Sequence, residues 1–205
     1  MLVYIEYISR RPGVSLEAFH EVAGRGQTGW AGEYADDRLV LNLARTWRIG
    51  PEPEYLAVWY NPAAGLERIA EWERIFTSGE ASHFEEPFKL AARIDSAGCY
   101  EPLVEPVPGQ GGPYYAEFFE PAAGASRDEV GSFFRERRER RPDERELHLL
   151  VERIGRLGPD PRGFAVWGLP SYGALDGLAR ELDDSNGPVE LVTSALYADL
   201  GSEIL

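Results

Sequence analysis

Glu54-Tyr-Leu-Ala-Val-Trp-Tyr60 gives the first indication of the fold, because the chain repeats this stretch 108 residues later as Arg162-Gly-Phe-Ala-Val-Trp-Gly168. The turn before each stretch is repeated at the same offset, since Arg48-Ile-Gly-Pro-Glu-Pro53 matches Arg156-Leu-Gly-Pro-Asp-Pro161. A shared turn followed by a shared apolar stretch rarely arises by chance. The sequence therefore predicts a small domain that is duplicated within one chain.

The match extends toward the start of each half at an offset of 111 residues. Tyr4-Ile-Glu-Tyr7 pairs with Tyr115-Ala-Glu-Phe118, and Ser15 pairs with Ser126. The change from 111 to 108 requires the loss of only three residues in the second half. We predict a first repeat over 1–104, a Pro- and Gly-rich linker over 105–113, and a second repeat over 114–205.

Composition sets the broad class of the protein. Its 205 residues are 43% hydrophobic and 12% aromatic, which is typical of a globular protein with a sizeable core. The net charge of −14 argues against nucleic acid and anionic membranes as partners. The only cysteine, Cys99, excludes an internal disulfide and any cysteine-based zinc site. We expect a cytoplasmic protein without a membrane span.

Each half is predicted to run strand, helix, strand, strand, helix, strand. Alternating apolar residues mark the strands, whereas the helices have apolar residues three and four apart. Ser126-Arg-Asp-Glu129 is a capping box that opens the first helix of the second half. The predicted strands are 2–8, 38–47, 55–60, 97–103, 114–119, 146–153, 163–169 and 189–200. The apolar stripes of the predicted helices include Leu16, Phe19 and Ala23, Leu66 to Phe76, and Leu175 to Leu182. An inserted helix is predicted near Phe84 to Arg93.

This order is that of a ferredoxin-like βαββαβ unit, which has helices on one face of an antiparallel sheet. The other face of each sheet is left bare. Two such sheets that face each other bury this surface, at about 25 cal/mol per Å² of apolar area. The predicted fold is therefore α+β, with two tandem ferredoxin-like repeats packed face to face as an intramolecular α+β barrel.

The pattern resembles the dimeric α+β-barrel superfamily. The resemblance lies in Tyr4-Ile-Glu-Tyr7 with the following Pro12-Gly13, in Ala57-Val-Trp59, and in their copies at 115–118 and 165–167. Within the superfamily the chain looks most like antibiotic-biosynthesis monooxygenases and NIPSNAP-type domains. That resemblance implies a range of functions, among them cofactor-free oxygenases, isomerases and haem enzymes.

Strand alternation assigns candidate residues to the barrel lumen. The apolar alternating residues, such as Val3, Ile5 and Tyr7 in strand one, are predicted to face the helices. Their neighbours would then face the lumen. This predicted lumen set contains Tyr4, Glu6, Asn42, Tyr115, Glu117, His148 and Glu152.

We expect Glu6, Glu117 and His148 to be the catalytic residues, because desolvation and mutual repulsion would raise the pKa of a carboxyl in the lumen and suit it to general acid–base chemistry. His148 has no imidazole counterpart, since Val40 occupies that place in the first copy. The expected ligand is a small aromatic or ketone-bearing molecule. The remaining candidate substrate-binding residues are Tyr4, Asn42, Tyr115, Glu152, Trp59 and Trp167.

Several alternatives stay open on these residues. The two glutamates could pair across strands, and Trp59 and Trp167 could belong to the core. The competing function is a non-catalytic structural or interaction module with a filled barrel. The sequence thus leaves open whether the protein is an enzyme. It also leaves open whether two chains form a homodimer. No metal is expected, and no cofactor is expected except, as a minor alternative, haem on His20 or His83. The run Arg135 to Arg141 is interpreted as a solvated helix end, with binding of an anionic ligand or an acidic partner as the alternative.

Overall fold

The computed structural model describes residues 1–33, 36–46, 53–178 and 187–200, with only the backbone of 24–28 and 31–32. These ranges form an α+β structure with one antiparallel sheet of eight strands. The first half contains β1 (Leu2–Arg10), α1 (Leu16–Glu33), β2 (Arg38–Arg45), β3 (Tyr55–Asn61), α2 (Glu67–Ser78), α3 (Ser82–Ala91) and β4 (Ala92–Pro102). The second half contains β5 (Pro113–Pro121), α4 (Arg127–Arg140), β6 (Glu146–Arg153), β7 (Gly163–Gly168), a 3-10 turn (Tyr172–Ala174) and β8 (Val189–Asp199).

The sheet closes into a barrel in the order β1-β3-β2-β8-β5-β7-β6-β4. Within each half the neighbours follow the same ferredoxin-like order, with the first strand between the fourth and the third. Two short ladders join the halves. They run from Leu43 opposite Asp199 to Arg45 opposite Tyr197, and from Tyr100 opposite Arg153 to Pro102 opposite Val151.

The barrel interior is a packed apolar core. One cluster of buried residues draws side chains from all eight strands and includes no helical residue, so it fills the lumen. Close packing of this kind is what a closed sheet needs, because its interior has no other element to cover it. The cluster consists of Val3, Ile5, Tyr7, Val40, Leu41, Leu43, Leu56, Val58, Tyr60, Tyr100, Tyr114, Ala116, Phe118, Leu149, Val151, Phe164, Val166, Ala195 and Tyr197.

Two further clusters lie outside the barrel, between the sheet and the helices. In the first half, Phe19 of α1 and Ile75 of α2 pack on the sheet around Trp59. In the second half, Val130 and Phe134 of α4 pack around Trp167. Each helix buries an apolar side here, and each fully buried large side chain stabilises the fold by roughly 1.5–3 kcal/mol.

A β-bulge interrupts the second strand of each half at equivalent places. The register shifts between Leu39 and Leu41 in β2, and between Leu147 and Leu149 in β6, so Val40 and His148 are the extra residues. The segment 103–112 crosses both bulges. Val107 donates its backbone N–H to the carbonyl of His148 at 2.9 Å, and Gly109 donates to the carbonyl of Val40 at 2.8 Å.

Most predicted elements are found, with different ends. Helix α1 continues to Glu33, although its glycines suggested an earlier end, and β4 begins at Ala92 rather than Ala97. The inserted helix is α3. Part of the predicted helix over 175–182, the turn over 48–52 and Trp47 lie outside the described residues. Among the described helices, none is both long and apolar enough to cross a membrane.

Candidate functional site

Glu6 on β1 and Glu117 on β5 lie on the face of the sheet opposite to the one predicted for them. Val3, Ile5 and Tyr7 point into the barrel, which places Glu6 on the helix side of the sheet, and Glu117 lies on the helix side of β5. The prediction was wrong because it assigned the most apolar face to the helices. The lumen cluster contains no positively charged side chain to pair with a carboxylate, whereas a helix can supply an arginine. The helix layer is therefore the place where a buried glutamate is stable.

Glu117 forms a buried ion pair with Arg137 of α4. The carboxylate oxygens accept hydrogen bonds from Arg137 Nη1 at 2.8 Å and Nη2 at 2.9 Å, and from Trp167 Nε1 at 2.8 Å. The Arg137 guanidinium also lies 5.1 Å from the centre of the Trp167 ring. Both charged side chains are fully buried, at 0% and 1% exposure. Three donors to an ionised carboxylate make this a structural contact in a dry layer.

Glu6 keeps part of this arrangement in the first half. Its Oε2 accepts a hydrogen bond from Trp59 Nε1 at 3.3 Å, which corresponds to the Trp167 contact of the second half. Tyr4 packs its ring 4.9 Å from that of Trp72, and burial, followed by the charge of Glu6, raises the pKa of Tyr4 well above its ordinary value. Glu6 and Glu117 thus lie in different helix–sheet layers. The predicted repulsion between them inside one lumen does not occur.

His148 lies at the bulge of β6, beneath the segment that crosses it. Its Nδ1 is 3.1 Å from the carbonyl oxygens of both Val107 and Pro108, so this nitrogen carries a proton and donates to them. The ring is edge-on to Tyr114, 5.4 Å between centroids, and its Nε2 is 3.6 Å from Glu146 Oε2. His148 therefore holds the crossing segment against the barrel.

The other predicted residues are dispersed rather than gathered into one pocket. Asn42, on the helix side of β2, is buried, and its Nδ2 has no hydrogen-bond partner among the described residues. Tyr115 is buried in the helix layer of the second half. Glu152 is buried and contacts Arg127 Nε at 3.1 Å and Arg162 Nη2 at 2.5 Å. Trp59 and Trp167 belong to the two helix-layer cores. Core packing was the alternative to substrate binding for these two residues.

The lumen itself is occupied by protein side chains. The hydroxyl groups of Tyr7 and Tyr100 share a hydrogen bond of 2.8 Å inside it. Burial raises the pKa of the Tyr7 phenol well above its ordinary value, as does the neighbouring Tyr100. Burial likewise raises the pKa of Tyr100, so both phenols are neutral in the physiological range. The side chains of Glu6, Glu117 and His148 do not meet around a shared space. Their catalytic roles stay predictions.

An open groove of about 410 Å³ lies outside the barrel, between the end of β4 and α4. This volume is within the usual range of small-molecule pockets, roughly 300–1,000 Å³. The groove combines apolar surface with charged side chains from separate parts of the chain. Its lining residues are Met1, Glu101, Pro102, Leu103, Arg127, Asp128, Gly131 and Arg135.

Arg127 is held in place on one wall of this groove. Its Nη1 donates to Glu101 Oε2, and its Nε contacts the buried Glu152 at 3.1 Å. Glu152, one of the predicted substrate-binding residues, therefore reaches the groove indirectly. Arg127 is thus paired with two carboxylates, Glu101 at the groove and Glu152 behind it.

Gly131 and Arg135 form the α4 side of the groove. The nearest atoms to a Cβ built on Gly131 are Arg135 Nη1, Nη2 and Cζ, at 3.3, 3.6 and 3.7 Å. The guanidinium thus lies against the helix backbone, and its Nη2 donates to Ser132 Oγ at 3.1 Å. A glycine inside a helix costs about 1 kcal/mol relative to alanine. Sequence reasoning missed the groove, and this glycine in the middle of α4 was the available signal.

The groove offers haem no histidine, cysteine or tyrosine ligand. Haem iron takes its axial ligand from His, Cys, Met or Tyr side chains. In the groove the only such group is the thioether of Met1, which accepts a hydrogen bond from Tyr60 Oη at 3.5 Å. His20 lies elsewhere, edge-on to Tyr55 at 6.0 Å, and its pKa is lowered by burial and then by Arg10. His83 is exposed and contacts Glu33 at 3.1 Å.

The described part of the chain offers no metal site either. The described residues include no group of three or more His, Cys, Asp or Glu side chains that could hold an ion.

Comparison with known proteins identifies the fold. No protein-family model and no curated protein matches the chain. Solved structures do match. A haem-binding protein from Thermus thermophilus superposes with a TM-score of 0.62 and 11% identity, covering 97% of this chain and 90% of the other. A mutant chlorite dismutase from Candidatus Nitrospira defluvii in complex with cyanide has a TM-score of 0.58 and 8% identity, with coverages of 97% and 90%.

A putative chlorite dismutase matches with a TM-score of 0.57 and 8% identity, covering 97% of this chain and 94% of the other. At these identities the likeness concerns the fold alone. The chain therefore has the α+β fold seen in a haem-binding protein and in chlorite dismutases.

Proposed function

We propose that this chain is a small-molecule-binding protein that uses its eight-stranded barrel as a filled scaffold and binds its ligand in the groove between β4 and α4. The groove is the observation that carries the proposal, because its volume of about 410 Å³ is bordered by two guanidinium groups and an apolar wall. The fold similarity to a haem-binding protein and to a chlorite dismutase in complex with cyanide supports small-molecule binding in general.

The proposed ligand site lies on the outside of the barrel rather than in its lumen. Tyr7 and Tyr100 occupy the lumen, and Arg137 fills the space between α4 and the sheet, so a ligand at either place would have to displace buried polar contacts. Removing a partner from such a contact is costly. A monooxygenase reaction in the lumen, the first expectation from the sequence, therefore has less support than binding in the groove.

A ligand-observed NMR screen of the full chain tests the proposal, using a library of small organic acids, amines and neutral aromatics. Leu103→Trp fills the groove, whereas Leu157→Trp places the same ring on an exposed loop residue. We expect compounds that bind the wild type and Leu157→Trp and lose binding to Leu103→Trp. Unchanged binding to Leu103→Trp would overturn the assignment, provided that its urea unfolding midpoint matches that of the control.

The second candidate is a non-catalytic structural or interaction module, and the filled lumen is the observation that favours it. The same screen separates the two candidates, since a module with no small-molecule ligand yields no binder.

We also propose that the protein does not use haem, although its structural neighbours include haem-binding proteins. Titration with haemin, followed by visible absorption, is the direct test. We expect no saturable Soret band beyond that of free haemin. A stoichiometric band that is lost on His20→Ala or His83→Ala would contradict the proposal.

A further inference from the structure

From the groove, and resting on the proposed function, we infer that the ligand is a small molecule with a single acid group, a carboxylate or a phosphate, whose acid end binds Arg135 and whose other end is neutral or basic. Two features of the groove support this: which of its charges are already paired, and the shape of its α4 wall.

The charges of the groove are unevenly paired. Arg127 and Glu101 neutralise each other, and Glu152 is shared by Arg127 and Arg162. Arg135 differs, because in the described part of the chain it forms no ion pair and its only side-chain hydrogen bond is to the uncharged hydroxyl of Ser132. A guanidinium in a groove that has no carboxylate partner of its own favours an acid group, which it can bind with two parallel hydrogen bonds.

Gly131 determines where that guanidinium lies. The space above Gly131 is taken by the Arg135 head group, which a Cβ would meet at 3.3 Å. The glycine has an ordinary helical conformation, since its φ is not positive. No other described residue packs so closely here that a glycine is needed, because the three atoms nearest to a Cβ at position 131 all belong to Arg135. Gly131 therefore positions Arg135 along the groove.

Asp128 lines the other end of the groove. It precedes Arg135 by two helical turns, about 10 Å along α4. No described residue forms an ion pair with it within 4.0 Å. Its charge repels a second acid group and tolerates an amine. The body of the ligand would lie along Pro102 and Leu103.

The test uses four probes that share a phenyl ring: phenylacetate, phenylalanine, phenethylamine and phenylsuccinate. Binding to the full chain is measured by NMR titration. We expect phenylacetate and phenylalanine to bind, and phenethylamine and phenylsuccinate to bind at least about tenfold more weakly, since each loses or opposes a charged contact.

Three variants locate the contact. Arg135→Gln is expected to weaken phenylacetate about tenfold or more, while Arg140→Gln, the same change at an exposed arginine of the same helix, leaves it unchanged. Gly131→Ala is expected to weaken phenylacetate without lowering the urea unfolding midpoint, because alanine favours the helix. Asp128→Asn is expected to strengthen phenylsuccinate relative to phenylacetate.

Equal affinity of phenylacetate for the wild type, Arg135→Gln and Gly131→Ala would overturn the inference. So would a preference of the wild type for phenethylamine. Neither result would disprove binding in the groove, which depends on the loss of binding in Leu103→Trp.

Discussion

Among single residues, buried charges stabilise the two helix layers. Glu117 and Arg137 satisfy each other and Trp167 within a layer that excludes water. Asp37 has a comparable role in the first half. Its two oxygens accept hydrogen bonds from Arg68, Trp72 and Asn61.

Glu117→Gln is predicted to destabilise the fold by about 3–5 kcal/mol, because it leaves the Arg137 charge buried and uncompensated. Urea unfolding measures the loss. Glu136→Gln is the control, since Glu136 is exposed and lies 4.0 Å from Arg140 in a surface pair, where little change is expected. Equal midpoints for the two variants would show that the buried pair does not contribute as described.

Asp37 is predicted to make stability depend on pH. Burial raises the pKa of its carboxyl, but the hydrogen bonds from Arg68, Trp72 and Asn61 outweigh it and lower the pKa below the ordinary value. A lowered folded-state pKa contributes stability fully above the unfolded-state value, about 3.9, and loses it as the pH falls through the folded-state value.

The measurement is the difference in unfolding free energy between the wild type and Asp37→Asn at several pH values. We expect the difference to shrink as the pH is lowered from about 6 to about 3. A difference that stays constant over this range would contradict the assigned contacts.

Among the elements of the fold, the bulges and the segment 103–112 act together. The bulged residues Val40 and His148 offer their carbonyls to Gly109 and Val107, so one segment fastens both halves. The His148 ring adds two contacts that Val40 does not provide.

His148→Leu is predicted to loosen this segment, with a loss of about 1–3 kcal/mol for the carbonyls left without a donor. Limited proteolysis within 103–112 should then be faster. His148→Asn is the matched control, because its amide nitrogen replaces the donor near Nδ1. If both variants are cleaved at the wild-type rate, the ring does not hold the segment.

The elements could be predicted from the sequence to the extent that their signals are local. The Ala-Val-Trp repeats and the capping box at Ser126 marked strands and a helix that the structure contains. The faces could not. In β2 and β6 the extra residue, Val40 or His148, reverses the alternation that follows it, and in β1 and β5 the more apolar face lines the lumen instead of facing the helices. The groove was missed because it brings Leu103 and Arg135 together from elements distant in sequence.

In the molecule as a whole, eight strands close around a lumen that their own side chains fill. The helices cover the outside, and their contact layers hold the buried charges. The fold is shared with haem-binding proteins, but the histidines of this chain lie away from the groove. The proposed ligand site thus lies apart from the side-chain core of the barrel.

A crystal structure of the protein with bound phenylacetate is the decisive measurement for this separation of scaffold and site. We predict ligand density in the groove, with the acid group on Arg135, and an intact hydrogen bond between Tyr7 and Tyr100 in the lumen. Density inside the barrel, or between α4 and the sheet in place of the Arg137 contacts, would contradict it.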